Sequence, residues 1–335
     1  MPTPSLAKLR SHPESASWFQ ALEAPGQSTA PLPWPDEHAL AERLRFFGIP
    51  EDDIAILQTY FPLVSDNPDL RWIVERYAQV LHARLGQPGY SPLPDLPEGF
   101  GELGHHLFTF VYVIHFPATL AYHQSRGIPL AVTQDAMADI GHHYLVERHD
   151  HQRSGLAGGA RWLPLHARGL IYQFDRLQFE ITCLDEPIRE AIGLAGLRCV
   201  AGEPVLSIHI PGLMGPMPPD ACDASFARAI PFFARHFPDL GLRYATCESW
   251  LLDPQLADSL PATSNIVQFQ HRFHLVPDPE PDNDEILRFV FRSPGTSLED
   301  LPQGTTLERA VVRHIRNGST WAVGQGWMEL VSSRR

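Results

Sequence analysis

The stretch from Val205 to Phe273 constrains the fold more than any other part of the chain. It reads as a strand (VLSIHIPG), a long amphipathic helix (DACDASFARAIPFFARHFP), a strand with a capped turn (CESWLLDPQLADSLP) and a further strand (SNIVQFQHRFHL). Period-2 segments around a period-3.6 segment require a sheet with a helix laid against it. Small polar side chains, Ser207, His209, Cys247, Ser249 and Asn265, sit on or beside these strands. A core that served packing alone would use Val, Ile and Leu there, so this pattern points to strands that line a site.

The rest of the chain divides around a change of period. Residues 1–35 are rich in Pro, Ser and Ala and end in PLPWP. They read as an irregular arm, with Trp18 or Trp34 docking on a second subunit, which would make a homodimer, or on the chain itself. Residues 36–152 read as a helical domain. Asp36 caps a helix whose Leu40, Leu44 and Phe47 share a face, and Pro50 opens the next with Asp52 and Asp53 in its first turn. Asn67-Pro68 starts a third, and two more are expected over about 101–125 and 133–152. Gly155, Gly158 and Gly159 mark the boundary. From 160 to 332 strands are expected over 170–182, 205–210, 243–252, 266–275, 285–291 and 321–330, with helices over 220–237 and 306–316. The class is therefore α/β of the α+β kind: a helical domain, then a mixed, mostly antiparallel sheet with helices.

Composition removes several function classes. Of 335 residues only Lys8 is a lysine, so Schiff-base and pyridoxal-phosphate chemistry have no buried amine to use. No GxxxxGK[ST] loop is present. A formal net charge of -13 argues against nucleic acid as a partner. Cys183, Cys199, Cys222 and Cys247 form no CxxC pair, which leaves zinc and redox motifs unsupported and suits reduced thiols in the cytoplasm. No apolar run approaches the roughly 20 residues needed to span a bilayer, so no membrane association is expected.

The candidate groups each carry two readings. Arg176, Gln178 and Glu180 recur at spacing two, as a general base beside a cation or as a solvated strand face. Ser207 and His209 share a face before the turn Ile210-Pro211-Gly212, with His209 suited to proton transfer or to a structural hydrogen bond. Cys247 is a candidate nucleophile or a small buried hydrophobe. Gln303, Gly304, Thr305 and Thr306 precede a helix that carries Arg309, as an anion site or as an ordinary cap. The 17 histidines offer one Glu-x-x-His match, Glu102 to His105, where a di-metal bundle needs two, so no metal is expected.

The segments Arg176–Glu180, Ser207–Gly212, Asp220–Pro238, Cys247–Phe269, Leu287–Gly295 and Leu301–Ile315 together resemble the GNAT-like C-terminal domain of a family of actinobacterial acyltransferases. The helical half, including Tyr122–Pro129, is similar to the N-terminal domain of the same family, and the resemblance spans about residues 36–330. It implies an N-acyltransferase that takes coenzyme A, as acyl-CoA, and a small-molecule or peptide amine. It also implies a loop of the form [RQ]xxGx[GA] for the pyrophosphate. The nearest match begins at Gln303, where Thr306 and Glu308 stand in place of the glycines. Glu180, His209 and Tyr244 are the candidate acid–base groups, and Arg176, Gln178, Ser207, Cys247, Ser249 and Asn265 the candidate substrate contacts. The degenerate loop keeps a second expectation open, a non-catalytic ligand-binding protein on the same fold.

Overall fold

The computed structural model describes residues 4–26, 32–156, 159–212, 214–292 and 296–330. Gly158 of the boundary cluster lies outside them. The chain divides into two compact units, Met1–Tyr172 and Gln173–Arg335.

The first unit is helical: α1 (Leu6–Arg10), α2 (Ala16–Glu23), α3 (Glu37–Phe46), α4 (Glu51–Ser65), α5 (Pro68–Ala83), α6 (Leu107–Ser125), α7 (Leu130–Met137), α8 (Asp139–His151) and α9 (Pro164–Ala167). The Asp36 and Asn67 carboxyl and amide oxygens accept first-turn N–H groups, as those residues lead one to expect. The arm is not irregular over its described residues. It forms α1 and α2, and it packs on its own chain. Trp18 Nε1 donates to the Tyr77 hydroxyl at 2.7 Å, and Trp34 Nε1 to Glu75 at 2.8 Å. Arg76 is buried and donates to the carbonyl of Leu22 at the end of α2, which satisfies a helix-terminal acceptor.

The first half of α6, Leu107–Phe116, is buried all round, with Phe110, Val111, Tyr112 and Val113 at zero exposure. Pro117 sits inside α6 and has no N–H to give the Val113 carbonyl one turn back. Arg43 of α3 supplies the missing donor at 2.9 Å. A polar stripe runs down the same helix: His115, Thr119 and His123, four residues apart and fully buried. The Thr119 hydroxyl donates to the Ala167 carbonyl, and His123 lies between Thr133 Oγ1 at 2.9 Å and the Tyr172 hydroxyl at 3.2 Å. Burial keeps these imidazoles neutral. It pushes His123 down to about 4 and His115, with a smaller push from His82, down to about 3. Among the described residues no group of three His, Cys, Asp or Glu is placed to hold a metal.

The second unit is built on a sheet. Its elements are β1 (Ile171–Phe174), which begins at the unit boundary, β2 (Leu177–Cys183), α10 (Glu186–Leu194), β3 (Pro204–His209), α11 (Pro219–His236), β4 (Tyr244–Ser249), α12 (Gln255–Ser259), α13 (Asn265–Gln270), β5 (His274–Leu275), β6 (Glu280–Pro281), α14 (Asn283–Phe291), α15 (Thr306–Arg316) and β7 (Ala322–Glu329). The strand order is β1-β2-β3-β4-β7-β5, with β6 on β7. β2–β3, β4–β7, β5–β7 and β6–β7 are antiparallel, and β3–β4 is parallel, joined through α11.

Three strand expectations change. The single strand over 170–182 is two, broken at Asp175, whose φ of +48° turns the chain. Residues 266–275 are mostly α13, capped by Ser264, and 285–291 belong to α14, capped by Asp282. Both stretches are short and apolar, a length at which helix and strand patterns coincide, and the caps decide. Asn265 therefore opens a helix and is not on a strand.

α11 covers one sheet face. Its Phe226 lies 5.4 Å from Phe179 of β2, centroid to centroid, and Phe233 lies 6.3 Å from the same ring. α10 packs on one end of the opposite face, where Ile188 and Ile192 meet Val205, Tyr244 and Trp327.

Candidate active site

Register decides which side chains share a face, because directly opposed residues point the same way. Gln178 opposes His209 and Glu180 opposes Ser207 across β2–β3. Ser207 opposes Thr246 across β3–β4. Thr246 opposes Trp327, and Glu248 opposes Gln325, across β4–β7. One face thus carries Gln178, Glu180, Ser207, His209, Thr246 and Glu248, opposite the face that α11 covers. Gln178, Glu180 and Thr246 are buried although polar.

Within this face Glu180 and His209 form a pair. His209 Nε2 lies 2.8 Å from Glu180 Oε2, and the carboxylate side chain is 8% exposed. In the tautomer that carries its proton on Nε2, the ring donates to this buried carboxylate. The two side chains are held together as one hydrogen-bonded unit. His209 is also the last residue of β3, at the point where β3 and β4 part. Their ladder contains Leu206↔Ala245 and Ser207↔Thr246 and stops there. β3 stays paired with β2 as far as His209, and β4 with β7 as far as Ser249. Past Ser207 and Thr246 the facing strand edges are therefore not bonded to each other.

The chain matches two family models in succession. Residues 38–169 match the N-acyltransferase N-terminal domain, and residues 171–328 the GNAT-like C-terminal domain. Among solved structures, an acyltransferase in complex with decanoyl-CoA is 34% identical, with a TM-score of 0.82 over 96% of this chain and 97% of that one. The chain belongs to this acyltransferase family. An acyltransferase mutant in complex with octanoyl-CoA is 31% identical, with a TM-score of 0.84 over 97% of this chain and 99% of the other. An acyltransferase in complex with decanoyl-CoA and teicoplanin is 31% identical, with a TM-score of 0.84 over 98% of this chain and all of the other, 100%. Comparison with curated proteins gives no match. Among the described residues no helix is long and apolar enough to cross a membrane.

In this acyltransferase the remaining residues singled out by sequence fall into separate places. Tyr244 lies on the same face but four residues of strand, about 13 Å, from the level of His209. Its hydroxyl donates to the Arg198 carbonyl at 3.1 Å, and burial raises its pKa. Cys247 and Ser249 point to the opposite face. Cys247 is fully buried, with its thiol pushed well up by burial, and Ser249 Oγ accepts from Leu251 N as the cap of a turn. Arg176 stands in the turn before β2, reaching the carbonyls of Gly215 and Pro216.

The loop from Gln303 to Thr306 is closed on itself. Thr305 and Glu308 form a reciprocal capping box, and Arg309 donates to the Gln303 and Gly304 carbonyls. α15 packs with α14 in a cluster around Trp321 and Val311, not on the face of the His–Glu pair. Thr246 and Glu248 are the residues of this face that sequence reading missed. Their alternation with Cys247 and Ser249 is visible, but which set shares a face with Ser207 depends on the β3–β4 register.

Proposed function

We propose that this acyltransferase moves a medium-chain acyl group from acyl-CoA to an amine of a teicoplanin-type glycopeptide. The observation that carries the reading is the Glu180–His209 pair at the end of β3, beside the parting of β3 and β4. The structures similar to this chain contain decanoyl-CoA, octanoyl-CoA and teicoplanin.

An extended pantetheine adds to the separated edges as a strand would, its amides meeting main-chain groups. This sets the thioester beside His209. The acceptor ammonium first loses a proton to water. His209 Nδ1 takes a second proton as nitrogen attacks the thioester carbon, while main-chain N–H groups stabilise the developing oxyanion. The C–N bond forms, the C–S bond breaks, and the imidazolium returns its proton to the leaving thiolate. Glu180 holds the ring and stabilises its cationic form. Gln178, Ser207 and Thr246 line the floor of this face.

The test is intact-mass analysis of teicoplanin aglycone and its amino-sugar forms after incubation with octanoyl-CoA and enzyme. One added octanoyl group, lost with His209→Ala by about 10²- to 10⁴-fold in kcat, is the expected result. Full activity in both His209→Ala and Glu180→Gln would remove the pair from the chemistry.

A further inference from the structure

Two side chains of the site face are polar, buried and without a hydrogen-bond partner among the described residues: Gln178, 3% exposed, and Thr246, 6% exposed. The third buried polar group there, Glu180, is satisfied by His209 at 2.8 Å. Buried polar side chains in native structures are nearly always partnered, so an unpartnered one inside a reactive face points to a substrate group.

The sheet order separates the two. Thr246 ends the β3–β4 ladder, at the parting where the function proposed above seats the thioester. Gln178 belongs to β2, on the far side of β3 from β4, and directly opposes His209. Opposed side chains on one face have Cβ atoms about 5 Å apart, so the Gln178 amide and the His209 ring reach into the same space above the sheet. The donor then lies on one side of the ring and Gln178 on the other. A group that meets Gln178 comes to His209 over the face of the sheet, which is the approach left to the acceptor. The amide does not titrate, and its carbonyl oxygen accepts from a neutral N–H.

We infer that Gln178 accepts the second N–H of the attacking amine and so makes the enzyme selective for primary amines. This rests on the acyl-transfer reading above. A neutral primary amine has one lone pair and two N–H groups. The lone pair forms the C–N bond as the C–S bond breaks. One proton passes to His209 and from there to the leaving thiolate. The other stays on nitrogen and is kept in the amide product. Gln178 Oε1 holds that retained hydrogen, which turns the lone pair toward the thioester carbon. A secondary amine has only the hydrogen that His209 must take. It leaves the buried Gln178 oxygen unpaired in the transition state, and a site built to hydrogen-bond a substrate group rejects an analogue that lacks it.

The experiment compares the natural sequence with Gln178→Met, which keeps the length of the side chain and removes its hydrogen bonding. The first arm is urea unfolding of the full chain without substrate. Replacing an unpaired buried amide by an apolar side chain of similar shape is neutral or stabilising, so the midpoint should stay or rise. A lower midpoint means that the amide already has a partner in the free enzyme, and overturns the proposal even if acyl transfer is observed. In the second arm, kcat/KM with octanoyl-CoA is measured for an amino-sugar form of teicoplanin and for the same compound with one methyl group on the acylated nitrogen. The size and basicity of the methylamine act on both enzymes alike and cancel in the comparison. The preference for the primary amine should shrink about 10- to 100-fold in Gln178→Met, with the pH profile unmoved. An unchanged preference, an equal loss with both acceptors, or a moved acidic limb means that the amide serves only to support His209, and overturns the proposal. No transfer to the primary amine by the natural sequence would instead refute the acyl-transfer reading, and the proposal falls with it.

Discussion

Acidification should cost the helical unit stability through His115, by an amount that can be worked out. The side chain has zero exposure, and its pKa lies at about 3, through burial first and His82 second. In the unfolded chain a histidine titrates near ~6.5. Between those values the unfolded state binds a proton that the folded state does not. The stability therefore falls as pH drops below ~6.5 and stops falling once pH passes the folded value. Between pH 7.5 and 5.0 the linkage relation gives a loss of about 2 kcal/mol from this one group. His115→Gln removes the titrating site and keeps a polar group for Thr119, its partner on Nδ1 at 3.2 Å. Urea unfolding followed by far-UV circular dichroism, at both pH values, measures the effect. The variant should lose about 2 kcal/mol less than the natural sequence over this range, other titrations cancelling in the difference. A difference below about 0.5 kcal/mol, the usual resolution of such comparisons, would refute the claim that burial penalises the charged ring.

Other substitutions separate packing from chemistry. Gly324→Ala should destabilise by about 1–3 kcal/mol in urea unfolding, because its Cβ would fall 2.3 Å from the Leu252 carbonyl oxygen. Ser249→Ala should cost about 1 kcal/mol through the lost cap while kcat stays within about twofold; a large fall in kcat would put Ser249 in the site after all. Tyr244→Phe should leave the pH profile of kcat/KM unmoved, since the hydroxyl is engaged with Arg198 at the far end of the face. Glu180→Gln should lower kcat about 10- to 100-fold and shift the acidic limb of the profile to lower pH, the signature of a carboxylate that stabilises the protonated base.

How far the sequence spoke depended on local signals. Asp36, Asn67-Pro68 and Thr305 announced their helices because a cap is a contact within one turn. α13 and α14 were hidden in apolar runs of six and nine residues, too short for period to separate helix from strand. The candidate site was legible one residue at a time. Glu180 and His209 could each be named from chemistry, but their pairing needs the β2–β3 register, which a sequence separation of 29 does not reveal. The same limit placed Cys247 and Ser249 with Ser207 and His209. A one-step change of parity across a parallel pair moves them to opposite faces.

The parting of β3 and β4 after Ser207 and Thr246 has a consequence for divergence. A donor met by main-chain groups along two strand edges imposes no particular side chain on those edges, only the requirement that they stay apart. On the function proposed above, a relative that shares 34% of its residues with this chain can keep the same thioester seat among different side chains. The backbone then carries the donor's position, and the side chains around it are left to the chemistry and to the acceptor.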